Sequence, residues 1–457
     1  MGAVVDVLIL GAGSGGYACA LRAAQLGMSV RLVEESKVGG TCLHVGCIPT
    51  KALLHAAEVA DAAREAEQFG VRATLEGIDA TGVVGYADGV VARLYRGLTG
   101  LVAAAGIDVV TGTGRLTGPR EVTVDGTAYT ADHVVLATGS EPRLIPGIEV
   151  DGGRIITSEH ALRLDRVPAS VVVLGGGVIG CEFASVWRSF GAEVTVVEAL
   201  PRLLPPEDEA SSKALARAFR KRGIGMRTGA PVASAVADGD GVTVTLEGGE
   251  ELRAEILLVA VGRGPRTAGL GLEAQGVALE RGFVTVDERL RTSLPGVWAV
   301  GDIVPGLQLA HRGFAQGIFV AEEIAGLTPA PIDDAGIPRI TYSRPEVASV
   351  GLTEDAARDR YGDAVATFTY DLAGNGRSQI LKTKGFVKLV RVADGPVVGL
   401  HLVGDRVGEL IAEAQLIYGW EAHPEDVAPL VHAHPTQSEA LGEAHLALAG
   451  KPLHHHG

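Results

Sequence analysis

The feature that most constrains this chain is a unit that occurs twice. A short apolar run, Val4–Leu10, leads into Gly11-Ala-Gly13-Ser-Gly-Gly16, then an Ala/Leu-rich stretch, Gly27, and a second apolar run that closes on Glu34. Val171–Leu174 leads in the same way into Gly175-Gly-Gly177-Val-Ile-Gly180, a helical stretch, Gly191 and a run ending at Glu198. A strand, a glycine turn, a helix and a second strand with an acidic end form the parallel unit that binds a dinucleotide. The glycines let the backbone approach the pyrophosphate at a helix N-terminus, and the carboxylate accepts the ribose hydroxyls. A lone glycine fingerprint is weak, but two in full context predict two dinucleotide sites in an α/β chain.

Between them, residues 39–54 read GGTCLHVGCIPTKALL, with Cys42 and Cys47 five positions apart and Pro49 and Lys51 just after. A disulfide here closes a very small ring, and the helix-like continuation places the pair at a helix N-terminus, where the dipole favours thiolate. Strained, exposed pairs of this kind are redox-active rather than structural. Taken alone, the spacing also suits unpaired core cysteines or half of a zinc site. Zinc needs two more ligands, and Cys19 and Cys181 are single residues on predicted helices. Nicotinamide exchanges a hydride and a disulfide is reduced by thiolate attack, so a flavin is needed between them. The first site is therefore read as FAD and the second as the nicotinamide site. Glu198 favours NAD, because a carboxylate repels a 2′-phosphate, while Arg202 keeps NADP open.

Forty Lys and Arg against 55 Asp and Glu give a net charge of −15, which argues against nucleic acid and anionic membranes as partners. No apolar run reaches the ~18 residues of a transmembrane helix, the N-terminus has no signal pattern, and Asp6 stands where myristoylation needs Ser or Thr. A cytoplasmic protein is expected. Residues 58–106 read as long helices, 109–129 as a three-stranded excursion, and 133–139 as the resumed sheet running into Thr138 and Gly139. Pro142 and Pro146-Gly147 mark a linker, a strand ends at Gly262-Arg263, another ends at Gly301-Asp302, and Leu309-Ala310-His311 begins a helix. Asp302 suits a cofactor hydroxyl or an ordinary helix cap.

From Ile337 alternating strands and then helices lead to His432-Ala-His434-Pro435-Thr-Gln-Ser-Glu439. A carboxylate on one imidazole nitrogen leaves the other as a base. Alone, His434 also suits a surface or capping role, and two histidines without acidic or thiol company make a poor metal site. His454 to His456 read as a solvated tail. The expected division is residues 1–147 for FAD, 148–266 for NAD, 267–336 completing the FAD site, and 337–457 as an interface domain.

At this point the chain resembles the pyridine nucleotide–disulfide oxidoreductases over essentially its whole length. The resemblance rests on GGTCLHVGCIPTK, both fingerprints, LATG, VGRGP, AVGDIV, LAH, YSRPEVASVGLT and HAHPTQSEA, with His44 where Asn is more usual and Thr50 where Ser is common. It implies two Rossmann-like domains plus an α+β C-terminal dimerisation domain. It also implies the branch that oxidises dihydrolipoamide with NAD⁺, as in 2-oxo acid dehydrogenase complexes. By resemblance, Cys42 is the interchange thiol, Cys47 the thiol beside the flavin, and His434, oriented by Glu439, the base. Lys51 pairs with Glu182 near the flavin, and Asp302 with residues 309–311, Ala310 among them, holds the ribityl chain and pyrimidine end. The His–Glu pair comes from the other subunit, so a homodimer is implied. The alternative is an NADPH-dependent reductase of a small thiol disulfide. Glu198 argues against it; mercuric and thioredoxin reductases of this class use an extra C-terminal cysteine pair, whereas no cysteine follows Cys181 here. A non-enzymatic scaffold flavoprotein is a further class, disfavoured because Cys42, Cys47, Lys51, His434 and Glu439 are all present.

Overall fold

The structure, a computed structural model, describes residues 4–454. The chain divides into two compact units. The first takes residues up to Leu53, then Thr81–Arg143 and Gly262–Asp334. At its centre, strand Val5–Leu10 pairs in parallel with Val30–Glu34 on one side and Thr127–Leu136 on the other. Val7, Leu8 and Ile9 have no exposed surface, as a parallel strand covered on both faces requires. The excursion differs from its sequence reading at both ends. Asp108–Thr111 leaves it to extend the parallel sheet beyond Val30–Glu34. Its last strand is the one that resumes the sheet: Thr127–Leu136 pairs antiparallel with Glu121–Val124 early and parallel with Val5–Leu10 later. The helical stretch is also broken, into Cys47–Glu65, a short 3-10 turn and Ala80–Ala104.

The segment after Gly262 returns to this unit, where Val297–Ala299 adds a parallel strand beside Thr127–Leu136. Helix Ala310–Ile324 then crosses helix Ser14–Gln25 at glycines. A Cβ at Gly317 would lie 2.2 Å from the Gly15 carbonyl oxygen, so the backbones touch where any side chain would hold them apart.

The second unit takes Leu54–Ala80, Leu144–Val261 and the chain from Ala335. Its parallel sheet runs in the order Gly225–Thr228, Glu193–Glu198, Ser170–Leu174, Ile256–Val259, Ile155–Thr157. Three antiparallel strands, Val232–Ala237, Val242–Leu246 and Glu251–Ala254, share a core with it. The C-terminal part is a five-stranded antiparallel sheet from Arg339 to Gly404 packed on helices Val407–Gly419 and Glu439–Leu448. Inside this unit, Lys388 Nζ of the antiparallel sheet lies 2.8 Å from Asp208 Oδ1, in the cap that starts helix Glu209–Lys221. Both side chains are almost fully buried, so each charge depends on the other. The chain passes between the two units five times, after Leu53, Ala80, Arg143, Val261 and Asp334. His454 is not simply solvated: its Nδ1 lies 2.7 Å from Glu443 Oε1. His455 and His456 lie outside the described residues.

Candidate active site

The two fingerprint turns are built alike. Gly11 (φ +100) and Gly175 (φ +112) adopt left-handed backbone, and a Cβ on either would lie 2.3 Å from a carbonyl oxygen, of Ala137 or Ala260. A Cβ on Gly16 or Gly180 would lie 1.9 Å from the carbonyl oxygen of Gly11 or Gly175. These four glycines close the turn on itself. Gly13 and Gly177 meet nothing within 4 Å, so the space their side chains would fill faces outward. Each is the N-cap of its helix with no side-chain cap, which leaves the first-turn N–H groups aimed at that space. This is a cradle for a diphosphate, and the residues present fit a dinucleotide in both turns.

Both acidic residues are tied across their turns. Glu34 accepts hydrogen bonds from Ala12 N and Ser36 N, each at 2.8 Å, and Glu198 from Gly176 N at 2.6 Å and Leu200 N at 2.8 Å. The carboxylates are thus fixed at the strand ends with lone pairs left for ribose hydroxyls. Arg202 turns away from that role, donating to the carbonyls of Pro205 (3.0 Å) and Glu207 (3.3 Å). A cavity of about 250 Å³ opens beside Glu34, lined also by Ser36, Tyr95, Thr99 and Ile107.

Thr138, Gly139, Asp302 and Ala310 all lie in the first unit. Thr138 Oγ1 donates to the Arg266 carbonyl at 2.6 Å, and Gly139 has φ +76. Asp302 Oδ2 accepts from Ser140 Oγ at 2.5 Å, and Arg263 Nε donates to that same hydroxyl at 2.7 Å. Ala310 is the first residue of its helix, behind an uncapped Leu309. Gly262 (φ +111) is counted with the first unit, apart from the other four residues assigned to NAD. Ser140 was not singled out from the sequence; its partner Asp302 is 162 residues away.

The cysteines occupy two helices. Cys42 sits in Gly40–Val45, and Cys47 is the first residue of Cys47–Glu65. Gly46 makes the break, where a Cβ would lie 2.9 Å from the Thr41 carbonyl oxygen. The segment lies against the first fingerprint: Gly39 N donates to the Ala12 carbonyl at 2.8 Å, and a Cβ at Gly40 would reach Gly13 Cα at 2.7 Å. Both sulfurs are half-buried, unbonded and hydrogen-bonded to each other.

The helix N-terminus expected beside the pair is the start of Cys47–Glu65. Only Cys47 stands at that terminus. The Cys42 thiol is pushed up, first by its hydrogen bond with Cys47, then by burial and by charge on Cys47, with Lys51 pulling the other way. Two sulfurs this close ionise as one site. Tyr17, a residue the sequence reading passed over, faces Cys42; burial and that thiol's charge raise its hydroxyl. His44 lies 2.9 Å through Nε2 from the Val38 carbonyl, a donor role that Asn also serves.

Glu182 is 2% exposed on helix Val178–Phe190 in the second unit and accepts a hydrogen bond from Tyr342 N at 3.0 Å. The second unit also brings His434 and Glu439 together. Nδ1 lies 2.8 Å from Glu439 Oε1, and Thr436 N donates to Oε2 at 2.7 Å. Burial raises the Glu439 carboxyl, but the Thr436 N–H and His434 outweigh it and hold the group below its ordinary range. With Nδ1 engaged by a carboxylate and the ring 77% exposed, Nε2 is the nitrogen left to take a proton. Among the described residues no group of three or more His, Cys, Asp and Glu is placed to hold a metal ion, and no helix is long and apolar enough to cross a membrane.

Residues 5–317 match the family model described as pyridine nucleotide-disulphide oxidoreductase, and residues 337–445 match that family's dimerisation domain. The chain is 42% identical to the dihydrolipoyl dehydrogenase of Bacillus subtilis (strain 168), over 98% of this chain and 99% of that protein. It is 42% identical to the dihydrolipoyl dehydrogenase of Chlorobaculum tepidum, over 97% of each. The crystal structure of LpdA from Mycobacterium tuberculosis superposes with a TM-score of 0.91 at 29% identity, covering 97% of this chain and all of that one. With matched segments that span most of its length and carry both glycine turns, the cysteine pair and the His–Glu pair, the chain belongs to the pyridine nucleotide-disulphide oxidoreductases.

Proposed function

We propose that this protein oxidises dihydrolipoamide to lipoamide with reduction of NAD⁺ to NADH, using FAD and the Cys42–Cys47 pair. The observation that carries the reading is the hydrogen-bonded cysteine pair at the start of a helix, with Lys51 one turn on. The full-length relatives named dihydrolipoyl dehydrogenase direct the choice of substrate. Glu198, tied to backbone N–H groups, and Arg202, committed to backbone carbonyls, support NAD over NADP.

In this reading Gly11, Gly13, Gly16, Glu34, Thr138, Gly139, Asp302 and Ala310 hold FAD, and Gly175, Gly177, Gly180, Glu198 and Gly262 hold NAD. The bound cofactors supply two-electron transfer and hydride chemistry. The protein's own part is thiol chemistry. His434 takes a proton from dihydrolipoamide, and Glu439 stabilises the imidazolium that results. The substrate thiolate attacks Cys42 of the disulfide; the Cys42–Cys47 bond breaks, and Cys47 leaves as a thiolate. The second substrate thiol displaces Cys42 from the mixed disulfide, closing lipoamide, and its proton passes to the departing Cys42 sulfur. The protein is left two electrons richer, with Cys42 as a thiol and Cys47 as the thiolate beside Lys51.

The division into residues 1–147, 148–266, 267–336 and 337–457 belongs to the same proposal. So does a homodimer in which the His434–Glu439 pair of one protomer serves the cysteines of its partner. A 2-oxo acid dehydrogenase core is the natural macromolecular partner for an enzyme acting on a tethered dihydrolipoyl group.

The test is a paired assay on the flavin-loaded protein: dihydrolipoamide with NAD⁺, against NADPH with glutathione and mycothiol disulfides. NADH formation abolished by Cys42→Ser is the expected result. Turnover only with NADPH and a small disulfide overturns the substrate and the role of Glu198.

A further inference from the structure

Two residues before His434, the same segment carries a second imidazole with its own carboxylate. His432 Nε2 lies 2.7 Å from Glu413 Oε1 on helix Val407–Gly419, and the ring also hydrogen-bonds to the backbone of Leu430. Its side chain is 11% exposed. The ring lies against helix Glu439–Leu448 at Gly442, where a Cβ would fall 2.6 Å from His432 Nδ1. Gly442 is three residues beyond Glu439, on the same face of that helix. Glu439 thus has His434 as its hydrogen-bond partner and the His432 ring one helical turn away at Gly442, where its charge helps keep the carboxyl low.

His445, Tyr370 and Glu443, the last paired with His454, are further titratable groups near this cluster. His445 is fully buried; its Nδ1 lies 2.6 Å from the Leu441 carbonyl, an acceptor, which places the proton on Nδ1. Burial keeps this ring neutral, so His432 is the partner that takes the charge beside Glu413. Tyr370 faces Glu439 from strand Val365–Asp371; burial and the Glu443 and Glu439 charges raise its hydroxyl, and it stays neutral.

We infer that Glu413 and His432 form a positioning pair for the His434–Glu439 base: they hold a cationic imidazole against helix Glu439–Leu448, one turn from Glu439, and so set how strongly that carboxylate draws a proton onto His434. The inference rests on the reading of His434 as the base. In general a carboxylate bonded to an imidazole favours its charged form, and an imidazole already charged cannot take a substrate proton. A cation held close to Glu439 offsets part of that effect. The hydrogen bond to Glu413, and secondarily the Leu430 backbone, hold His432 in its charged form against the cost of burial.

The test is the pH profile of kcat/KM for dihydrolipoamide in the flavin-loaded, full-length protein. The variants are His432→Gln, Glu413→Gln, the double variant and His434→Gln. Each single variant is expected to move the acid limb upward by about 0.5 pH unit, and the double variant no further than either, because the pair acts as a unit. A rate lowered at every pH with the limb in place marks a purely structural role and overturns the inference. Should His432→Gln not fold, Glu413→Gln, which keeps the side chain's size, decides it alone. An acid limb that survives His434→Gln is a separate result: it removes His434 as the base and this inference with it.

Discussion

Glu346 shows how one residue ties stability to pH. It starts strand Glu346–Gly351, is half-buried, and accepts a hydrogen bond from Gly408 N at 2.8 Å. Burial, reinforced by Asp405, Glu58 and Glu409, outweighs that bond and raises its carboxyl to about 7 from an ordinary 4.5. The folded state therefore holds a proton that the unfolded chain releases near 4.5. Stability from this group is complete below that pH, falls as pH rises toward 7, and is flat above. Glu346→Gln removes the slope. It should raise unfolding free energy by on the order of 2 kcal/mol at pH 8 and by little at pH 4.5, as read by denaturant melts at the two pH values. Equal effects at both would contradict the account. At this scale the sequence is legible where partners are near in the chain. Glu34 and Glu198 bond to their own turns, and His434 meets Glu439 within five residues. It is silent where the fold supplies the partner, as with Ser140 for Asp302 and Glu413 for His432.

Periodicity and punctuation identify the elements themselves, because a strand, a glycine turn and a helix each leave a local pattern. What they do not identify is how elements meet. The three-stranded excursion was misread because nothing local tells a strand that it will pair one way early and the other way late. The crossing of helices Ser14–Gln25 and Ala310–Ile324 is a second such case. A methyl group at residue 317 would lie 2.2 Å from the Gly15 carbonyl oxygen and 2.9 Å from Cys19 N. Alanine suits a helix better than glycine by about 1 kcal/mol, but overpacking backbone against backbone costs more, so Gly317→Ala should lose about 2 kcal/mol net. It should also displace the helix that Gly13 caps and speed FAD release, followed by the rise of free flavin fluorescence. An unchanged melting temperature together with unchanged flavin retention would rule out a backbone-limited crossing.

For the molecule as a whole, the same dinucleotide unit has been used twice, and a redox segment and an antiparallel domain have been added. The first unit holds the cysteines against the first fingerprint, while the second holds the second fingerprint and the His–Glu pair. The central claim is that thiol chemistry and nucleotide chemistry are carried by separate groups and meet only at the cysteine pair. Anaerobic stopped-flow on His434→Gln and its parent, following flavin absorbance after mixing with dihydrolipoamide or with NADH, tests this most directly. The account predicts that dihydrolipoamide reduces the variant slower by a factor of roughly 10² or more, while NADH reduces it at the parent's rate. Equal slowing with both reductants would contradict the division of labour.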